Sequence, residues 1–204
     1  MNKIVQTVRK SFNTQETLSL KWRRDNLMSL MKLIDENEKA LCDALKKDLN
    51  KPEHETVIME FGVIKNGIVN SLNNLEKWMQ PEKKTPIIQA RGLYSAYVQP
   101  QPYGVTLIIG AWNYPYQVLL VPLVGAISAG CCAILKPSEL SQNSSELLES
   151  LWPKYFDRNF INIVNGGVKE TTELLQEKFD FIFYTGNTAI GKVIMQAASK
   201  YSRT

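Results

Sequence analysis

Polar residues follow two apolar runs of this sequence at the points where the runs end. Val105–Ile109 leads into GAWNYP, which contains Asn113, and Cys132–Leu135 leads into KPSE, which contains Lys136 and Glu139. An asparagine amide on such a turn can donate a hydrogen bond to an oxygen that becomes negative during a reaction. A lysine can neutralise phosphate, and a carboxylate after the second strand of a nucleotide-binding sheet can bind a ribose hydroxyl. These residue types indicate nucleotide binding and oxyanion chemistry.

Each of these residues also has a purely structural interpretation. Asparagine is a common turn residue, so the local sequence at Asn113 leaves both interpretations open. Ser138, between Lys136 and Glu139, can cap the helix that follows, and this role is compatible with nucleotide binding by its neighbours.

Two glycine-containing segments follow further apolar runs. NGG, with Gly166 at its centre, fits a tight turn or a cofactor loop. TGNTAIG contains Gly186, Asn187 and Gly191 and precedes a helical pattern, where free backbone amides attract a pyrophosphate. It is not the GxGxxG pattern, and Asn187 or Thr188 can equally serve as a helix cap.

Strand and helix patterns alternate after Tyr103. The predicted strands are Val105–Ile109, Cys132–Leu135, Ile161–Val164 and Phe181–Tyr184. The predicted helices are Tyr116–Ala129, Leu140–Trp152, Lys169–Glu177 and Ala189–Ser199. This alternation predicts a parallel sheet, and ligands of such sheets bind beyond the carboxyl ends of the strands.

The first part of the chain predicts two amphipathic helices. Thr14–Asp48 and about Glu55–Trp78 carry apolar residues at three- and four-residue steps, which indicates an antiparallel hairpin packed on something larger. The charges between these steps, including KWRR at 21–24, predict a solvated face. His54 lies in the break between the helices and is predicted to be exposed and structural.

A short segment separates the hairpin from the alternating part. Pro81–Pro86 is typical of a linker, and Tyr94, Ala96 and Val98 alternate as in a half-buried or edge strand. Pro100, which cannot donate a ladder hydrogen bond, fits the end of that strand.

GAWNYP, LKPSEL, NGG and FYTGNTAIGK, in this order, resemble the aldehyde dehydrogenase superfamily. AYVQPQPYGVTLIIGAWNYP is most similar to the class 3 branch, which includes the fatty aldehyde dehydrogenases. The resemblance covers the amino-terminal part of the family pattern and implies an α/β fold, a helical hairpin plus a Rossmann-like parallel sheet that is incomplete. It divides the chain into helices that pack on the cofactor domain (1–80), a linker with an oligomerisation-type strand (81–102) and an NAD(P)-binding region (103–204).

The resemblance also implies roles for individual residues. Asn113 stabilises a thiohemiacetal oxyanion in the family, and Tyr114 is expected to line the substrate site. Lys136 and Glu139 contact the adenosine ribose, and Glu139 bears on the choice between NAD and NADP. The expected cofactor-binding set is Ala111, Trp112, Lys136, Glu139, Gly166, Gly186, Asn187 and Gly191. Ala111 stands where many relatives have proline, although alanine also occurs in the fatty aldehyde branch.

The family's general base and nucleophile belong to ELGGK-like and GQ-T-C-like motifs that lie downstream of FYTGNT, whereas this sequence ends at Thr204. Cys42, Cys131 and Cys132 do not match the nucleophile's position or a metal-site spacing, and they are predicted to be buried thiols. The predicted function is NAD(P)-dependent oxidation of fatty or aromatic aldehydes to acids by the family. The alternative is a non-catalytic, truncated isoform that binds nucleotide or pairs with full-length subunits.

Composition limits the other function classes. A net charge of +4 with interleaved acidic and basic residues does not suggest nucleic-acid binding. There is no signal peptide, and the longest apolar stretch, Val118–Ala133, is broken by proline and glycine and is short for a membrane span. We therefore expect a cytoplasmic protein without a metal. The family resemblance implies an aldehyde as the substrate and either a homo-oligomer, a dimer, or pairing with a full-length subunit. A membrane anchor of the kind some relatives carry would lie beyond Thr204.

Overall fold

The computed structural model describes residues 1–84 and 95–201, and a four-stranded parallel sheet lies at its centre. In chain order the strands are β1 (Glu82–Lys84), β2 (Ala96–Val98), β3 (Val105–Ile109), β4 (Cys132–Lys136), β5 (Ile161–Ile163) and β6 (Phe181–Tyr184). The central sheet has the order β5-β4-β3-β6. All four strands predicted after Tyr103 are confirmed to within one residue at each end.

Eight helices surround the strands in the described part of the chain. They are α1 (Asn2–Asn13), α2 (Leu20–Leu49), α3 (Glu53–Thr56), α4 (Val63–Met79), α5 (Gln117–Ala129), α6 (Gln142–Tyr155), α7 (Val168–Leu175) and α8 (Thr188–Ala198). A 3₁₀ turn (Glu16–Leu18) precedes α2, and a π-helical turn (Val57–Gly62) joins α3 to α4. The predicted alternation of strands and helices is confirmed. Among these helices, none is both long and apolar enough to cross a bilayer.

Helices cover both faces of the parallel sheet. Successive side chains of a strand point to opposite faces. Leu107 therefore belongs to the apolar cluster that includes residues of α1, α7 and α8, whereas Ile108 belongs to the cluster that includes residues of α2, α4, α5 and α6. Strands buried on both faces have no polar side, which is why β3 and β4 are continuous apolar runs in the sequence.

The predicted helical hairpin is confirmed, but its first helix begins later than predicted. Gln15 has a φ of 64°, in the left-handed region, and breaks the helical path after Thr14. The Ser19 hydroxyl accepts the backbone N–H of Trp22 at 3.1 Å, so α2 begins at Leu20 with Ser19 as its cap.

Arg23 corrects the prediction of a solvated face over residues 21–24. Its side chain is buried, its Nε donates to the Thr17 carbonyl at 3.1 Å, and its Nη1 donates to the Ser128 carbonyl at 2.9 Å. The last carbonyls of a helix lack partners within the helix, and Arg23 satisfies one of them near the end of α5. Lys21 and Arg24 do lie on the exposed side of α2.

Two short elements differ from the sequence prediction. Glu82–Lys84, predicted to be part of a linker, forms a strand that pairs antiparallel with Ala96–Val98. Tyr94 lies outside the described residues, and within β2 only Ala96 is half-buried. Helix α1 was not predicted. Its buried residues Val5 and Val8 cover the second face of the sheet.

Candidate active site

A cleft of about 580 Å³ lies beyond the carboxyl ends of β3, β4 and β6. The adjacent strands β3 and β6 are followed by helices on opposite faces, so the cleft lies at the switch point where α/β sheets bind ligands. Of the predicted site residues, those that line the cleft are Ala111, Trp112, Asn113, Lys136, Glu139, Gly186 and Asn187. Tyr114, Gly166 and Gly191 do not line it.

Asn113 lies on the turn between β3 and α5. The Gly110 N–H donates to the Lys136 carbonyl at 3.1 Å, which ties the start of this turn to β4. The Asn113 side chain is exposed at the cleft, where its amide can donate to a ligand oxygen. The Tyr114 ring instead lies under the ammonium group of Lys51, 3.9 Å from the ring centroid. Its role in lining a substrate site stays a prediction.

Lys136 and Glu139 form a pair of opposite charges at one side of the cleft. The Lys136 Nζ is buried, donates to the Pro137 carbonyl at 2.6 Å and lies 3.7 Å from Oε2 of Glu139, whose side chain is half exposed. Burial lowers the pKa of Lys136, and the nearby Glu139 carboxylate opposes that shift. The pair presents both a donor and an acceptor, as recognition of a ribose requires.

The helix after this pair is capped from elsewhere in the chain, which corrects the predicted role of Ser138. The Ser138 hydroxyl accepts the Leu140 N–H at 3.3 Å, but α6 begins only at Gln142. Asp48, near the end of α2, accepts the backbone N–H groups of Asn143 at 3.0 Å and Ser144 at 2.8 Å. The Asp48 carboxylate, which belongs to another helix, therefore caps the amino terminus of α6.

Gly166 forms a tight turn before α7. Its φ is +137°, and a Cβ at this position would lie 2.4 Å from Cγ of Glu170, whose carboxylate accepts the Gly167 N–H at 2.8 Å. Because Gly166 does not line the cleft, its predicted cofactor role stays a prediction. Val168 and Thr171 of α7 do line the cleft and were not predicted. Thr171 lies on the predicted helix and Val168 directly precedes it, so their three-residue spacing is the signal that could have identified them.

The loop after β6 brings exposed backbone to the other side of the cleft. The Asn187 side chain accepts the Ile190 N–H at 3.0 Å and so caps α8. A Cβ on Gly186 would lie 2.1 Å from the hydroxyl oxygen of Tyr184, and one on Gly191 would lie 3.5 Å from the Tyr184 ring. Tyr184, which also lines the cleft, was not predicted as a site residue.

The loop and the start of α8 have groups that could bind a phosphate. Glycine at position 186 leaves the backbone accessible, and the first amides of α8 have no carbonyl partner within the helix. Such amides attract phosphate oxygens. Lys136 and Glu139, at the opposite side of the same cleft, are a donor and an acceptor of the kind that could bind a ribose.

The cysteines are buried, as predicted, and none of them lines the cleft. Burial raises the pKa of Cys42 to about 11 and that of Cys132 to about 12. These two thiols are therefore protonated near neutral pH and are weak nucleophiles. The described residues contain no group of three or more histidine, cysteine or carboxylate side chains that could hold a metal ion.

The aldehyde dehydrogenase family model matches residues 1–204. The chain belongs to the aldehyde dehydrogenase family. Aldehyde dehydrogenase family 3 member A2 from Macaca fascicularis is 44% identical over 203 residues, which cover 98% of this chain and 41% of that protein. The Canis lupus familiaris aldehyde dehydrogenase described as dimeric and NADP-preferring is 44% identical, over 98% of this chain and 44% of that protein. These relatives support the class 3 branch.

A solved aldehyde dehydrogenase structure shares the fold. The substrate-bound state of Staphylococcus aureus AldH superposes with a TM-score of 0.93 at 35% identity, covering 98% of this chain and 43% of the other. The chain therefore spans about two fifths of the length of its aldehyde dehydrogenase relatives. The predicted fold class, a helical hairpin with a parallel sheet that is incomplete relative to the family, is confirmed.

Proposed function

We propose that this chain is the NAD(P)-binding part of a class 3-type aldehyde dehydrogenase, which oxidises fatty or aromatic aldehydes to carboxylic acids. The observation that carries the proposal is the convergence of Asn113, the Lys136–Glu139 pair and the Gly186 loop on one cleft. These three groups come from segments up to about 70 residues apart in sequence, and their shared location follows from the parallel order of β3, β4 and β6.

The chemistry of the cleft supports binding of NAD or NADP in one orientation. Gly186 and the first amides of α8 would hold the pyrophosphate, and Lys136 with Glu139 would hold the adenosine ribose. When bound, the nicotinamide ring supplies the acceptor for the hydride of the aldehyde. The relative described as NADP-preferring supports including NADP beside NAD.

Asn113 would act on the aldehyde itself. Its exposed amide lies at the cleft on a turn that follows a rigid buried strand, and it would donate a hydrogen bond to the carbonyl oxygen as that oxygen gains charge. Loss of one such donor slows acyl-transfer enzymes by about 100- to 1,000-fold. In the family the thiolate and the general base come from the two downstream motifs, so the whole reaction also needs the residues of those motifs.

Titration calorimetry with this chain tests the proposal. NAD⁺, NADP⁺ and ADP-ribose are expected to bind at one site. Nicotinamide mononucleotide, which lacks the adenosine half, is expected to bind much more weakly because it cannot reach the Lys136–Glu139 pair. Absence of binding by NAD⁺, NADP⁺ and ADP-ribose at millimolar concentrations would refute the proposal.

A second candidate function is subunit pairing without catalysis. It is supported by the exposed apolar side chains Tyr97 and Val98 on the β1–β2 ribbon, which are 58% and 52% exposed. The relative named as dimeric makes a homodimer the first assembly to test, and a full-length subunit the second. Sedimentation analysis of the chain with and without a Tyr97→Ser substitution separates the outcomes. A wild-type chain that stays monomeric alone and with a full-length class 3 subunit would exclude pairing.

A further inference from the structure

A buried ion pair lies under the turn that carries Asn113. Lys51, between α2 and α3, and Glu60, in the π-helical turn, are 8% and 0% exposed, and the Lys51 Nζ lies 2.8 Å from Oε1 of Glu60. Neither residue lines the cleft. Their effect on the cleft must therefore pass through the residues they touch.

Lys51 holds the turn at two successive residues. Its Nζ donates to the backbone carbonyl of Asn113 at 3.0 Å and lies 3.9 Å from the centroid of the Tyr114 ring. The hydrogen bond fixes the peptide that follows Asn113, and the cation–π contact fixes the next side chain. Together they restrict the directions that the Asn113 amide can take.

Glu60 holds the other end of the same turn. Its second oxygen, Oε2, accepts the backbone N–H groups of Tyr116 at 2.9 Å and Gln117 at 3.1 Å. These amides begin α5 and have no partner within the helix, so a carboxylate is suited to them by hydrogen bonding and by the helix dipole. The π-helical turn brings two successive side chains, Glu60 and Phe61, into the interior, and such turns often occur at functional sites.

A contribution to stability does not by itself explain this arrangement. Desolvation of two charges offsets most of their attraction, and well-packed apolar residues often replace a buried ion pair without loss. The contacts of Lys51 and Glu60 are instead concentrated on residues 113–117. Lys51 and Glu60 thus fix both ends of the segment between β3 and α5.

We propose that Lys51 and Glu60 are positioning residues that orient the Asn113 amide toward the cleft. The catalytic meaning of this orientation rests on the proposed function of Asn113 as an oxyanion donor. The orientation itself is a property of this chain and can be measured without substrate.

The experiment compares Lys51→Met and Glu60→Gln with Lys65→Met in ¹⁵N-labelled full chain. Lys65 is a matched control because it also bridges helices through ion pairs, to Asp35 and Glu38, at a place away from the turn. Three quantities are recorded for each protein: the side-chain NH₂ resonances of Asn113, the hydrogen exchange of every resolved backbone amide, and the dissociation constant for NAD⁺.

In Lys51→Met and Glu60→Gln the Asn113 side-chain resonances are expected to shift. Exchange of the Tyr116 and Gln117 amides is expected to accelerate at least about tenfold more than exchange of the β3 amides. Lys65→Met is expected to leave these signals as in the wild type. Lys51→Arg, which retains the charge and the donors, is expected to restore them toward wild-type values.

Wild-type Asn113 resonances and wild-type exchange at residues 116 and 117 in folded Lys51→Met would overturn the proposal. An equal acceleration across the whole sheet would also overturn it, because it would indicate a general loss of stability. If Lys51→Met fails to fold, Glu60→Gln is judged by the same criteria, and Lys51→Arg is still expected to remain near the wild-type values. The NAD⁺ measurement separates the two proposals: a wild type that binds no nucleotide contradicts the proposed function, while the resonances still report on the turn.

Discussion

The Arg23 guanidinium occupies the space that a side chain at Gly130 would need. A Cβ on Gly130 would lie 2.7 Å from Nη2 and 2.9 Å from Cζ of Arg23, and the φ of Gly130 is +81°. This contact joins the start of α2 to the end of α5, where Arg23 also binds the Ser128 carbonyl. The glycine is therefore required both by its backbone conformation and by the packing of a buried cation.

Gly130→Ala is expected to lower the free energy of unfolding by about 2 kcal/mol or more. A non-glycine residue in the left-handed conformation costs about 1–2 kcal/mol, and the displacement of Arg23 by the new Cβ adds to that cost. Gly125→Ala is the matched control. Gly125 lies inside α5, and apart from its chain neighbours and the adjacent helix backbone no atom lies within 4 Å of its Cβ position, so alanine there is expected to stabilise by about 0.5–1 kcal/mol. Urea unfolding measures the change in stability for both substitutions. Equal effects of the two substitutions would contradict this account of Gly130.

Gly186→Ala is expected to weaken NAD⁺ binding by about tenfold or more while changing stability by less than about 1 kcal/mol. The added Cβ would collide with the Tyr184 hydroxyl, and this half-buried side chain can move away only by changing the shape of the cleft that it lines. Calorimetric titration measures the affinity for NAD⁺, and urea unfolding measures the stability. An unchanged affinity for NAD⁺ would show that the Gly186 backbone does not approach the nucleotide.

Asp48→Asn is expected to lower the free energy of unfolding at neutral pH by about 1 kcal/mol, since one of the two acceptors that cap α6 is lost. Asp43→Asn, which removes only an exposed ion pair on the same helix, is expected to cost less than about 0.5 kcal/mol. Urea unfolding of the three proteins checks these values.

The stability that Asp48 contributes is expected to depend on pH. Burial alone would raise the pKa of Asp48, but the hydrogen bonds from Asn143 and Ser144 together outweigh it and hold the pKa below its usual value. A lowered native pKa means that the contribution is complete above the unfolded pKa of about 3.9 and is lost as the pH falls through the native value. The gap between wild type and Asp48→Asn should therefore be widest above about pH 5 and should shrink in more acidic solution. A gap that widens on acidification would contradict this assignment.

Lys136→Met is expected to weaken NAD⁺ binding about tenfold, as the loss of a charge-assisted hydrogen bond would. Burial lowers the pKa of Lys136, so as the pH rises this side chain loses its charge earlier than a free lysine does. The affinity of the wild type for NAD⁺ should fall over that pH range, whereas the affinity of the variant should not change with pH. Lys154→Met, on the exposed side of α6, is the control. Parallel pH profiles of wild type and Lys136→Met would argue against a charged contact.

The sheet and the hairpin could be predicted because their signals are local. β3 and β4 are buried on both faces and so are unbroken apolar runs, and α4 repeats its apolar residues every three or four positions. Arg23 and Asp48 could not be predicted, because their partners Ser128 and Ser144 lie about 100 residues away in sequence. A charged residue on a helix shows no local sign that a distant carbonyl or amide needs it.

Part of the candidate site could be predicted because its signals are local as well. Asn113, Lys136 and Gly186 lie next to strand ends, and a parallel sheet brings strand ends together. Tyr184 is the last residue of β6 and could have been identified by the same rule, whereas Val168 lines the cleft because of how α7 packs. The role of Lys51 could not be predicted, because the Asn113 carbonyl that it binds lies 62 residues further along the chain.

Mapping of NAD⁺ binding by ¹H–¹⁵N correlation spectra tests the central claim most directly. We predict that saturating NAD⁺ shifts the backbone amides of residues 110–113, 136, 138–140 and 185–190 together, with a single dissociation constant, and leaves the β1–β2 ribbon unchanged. Unchanged spectra at millimolar NAD⁺ would contradict the account. So would shifts confined to the separate cavity lined by Gln15, Gln99 and Pro100, because the nucleotide would then bind away from the sheet's carboxyl edge.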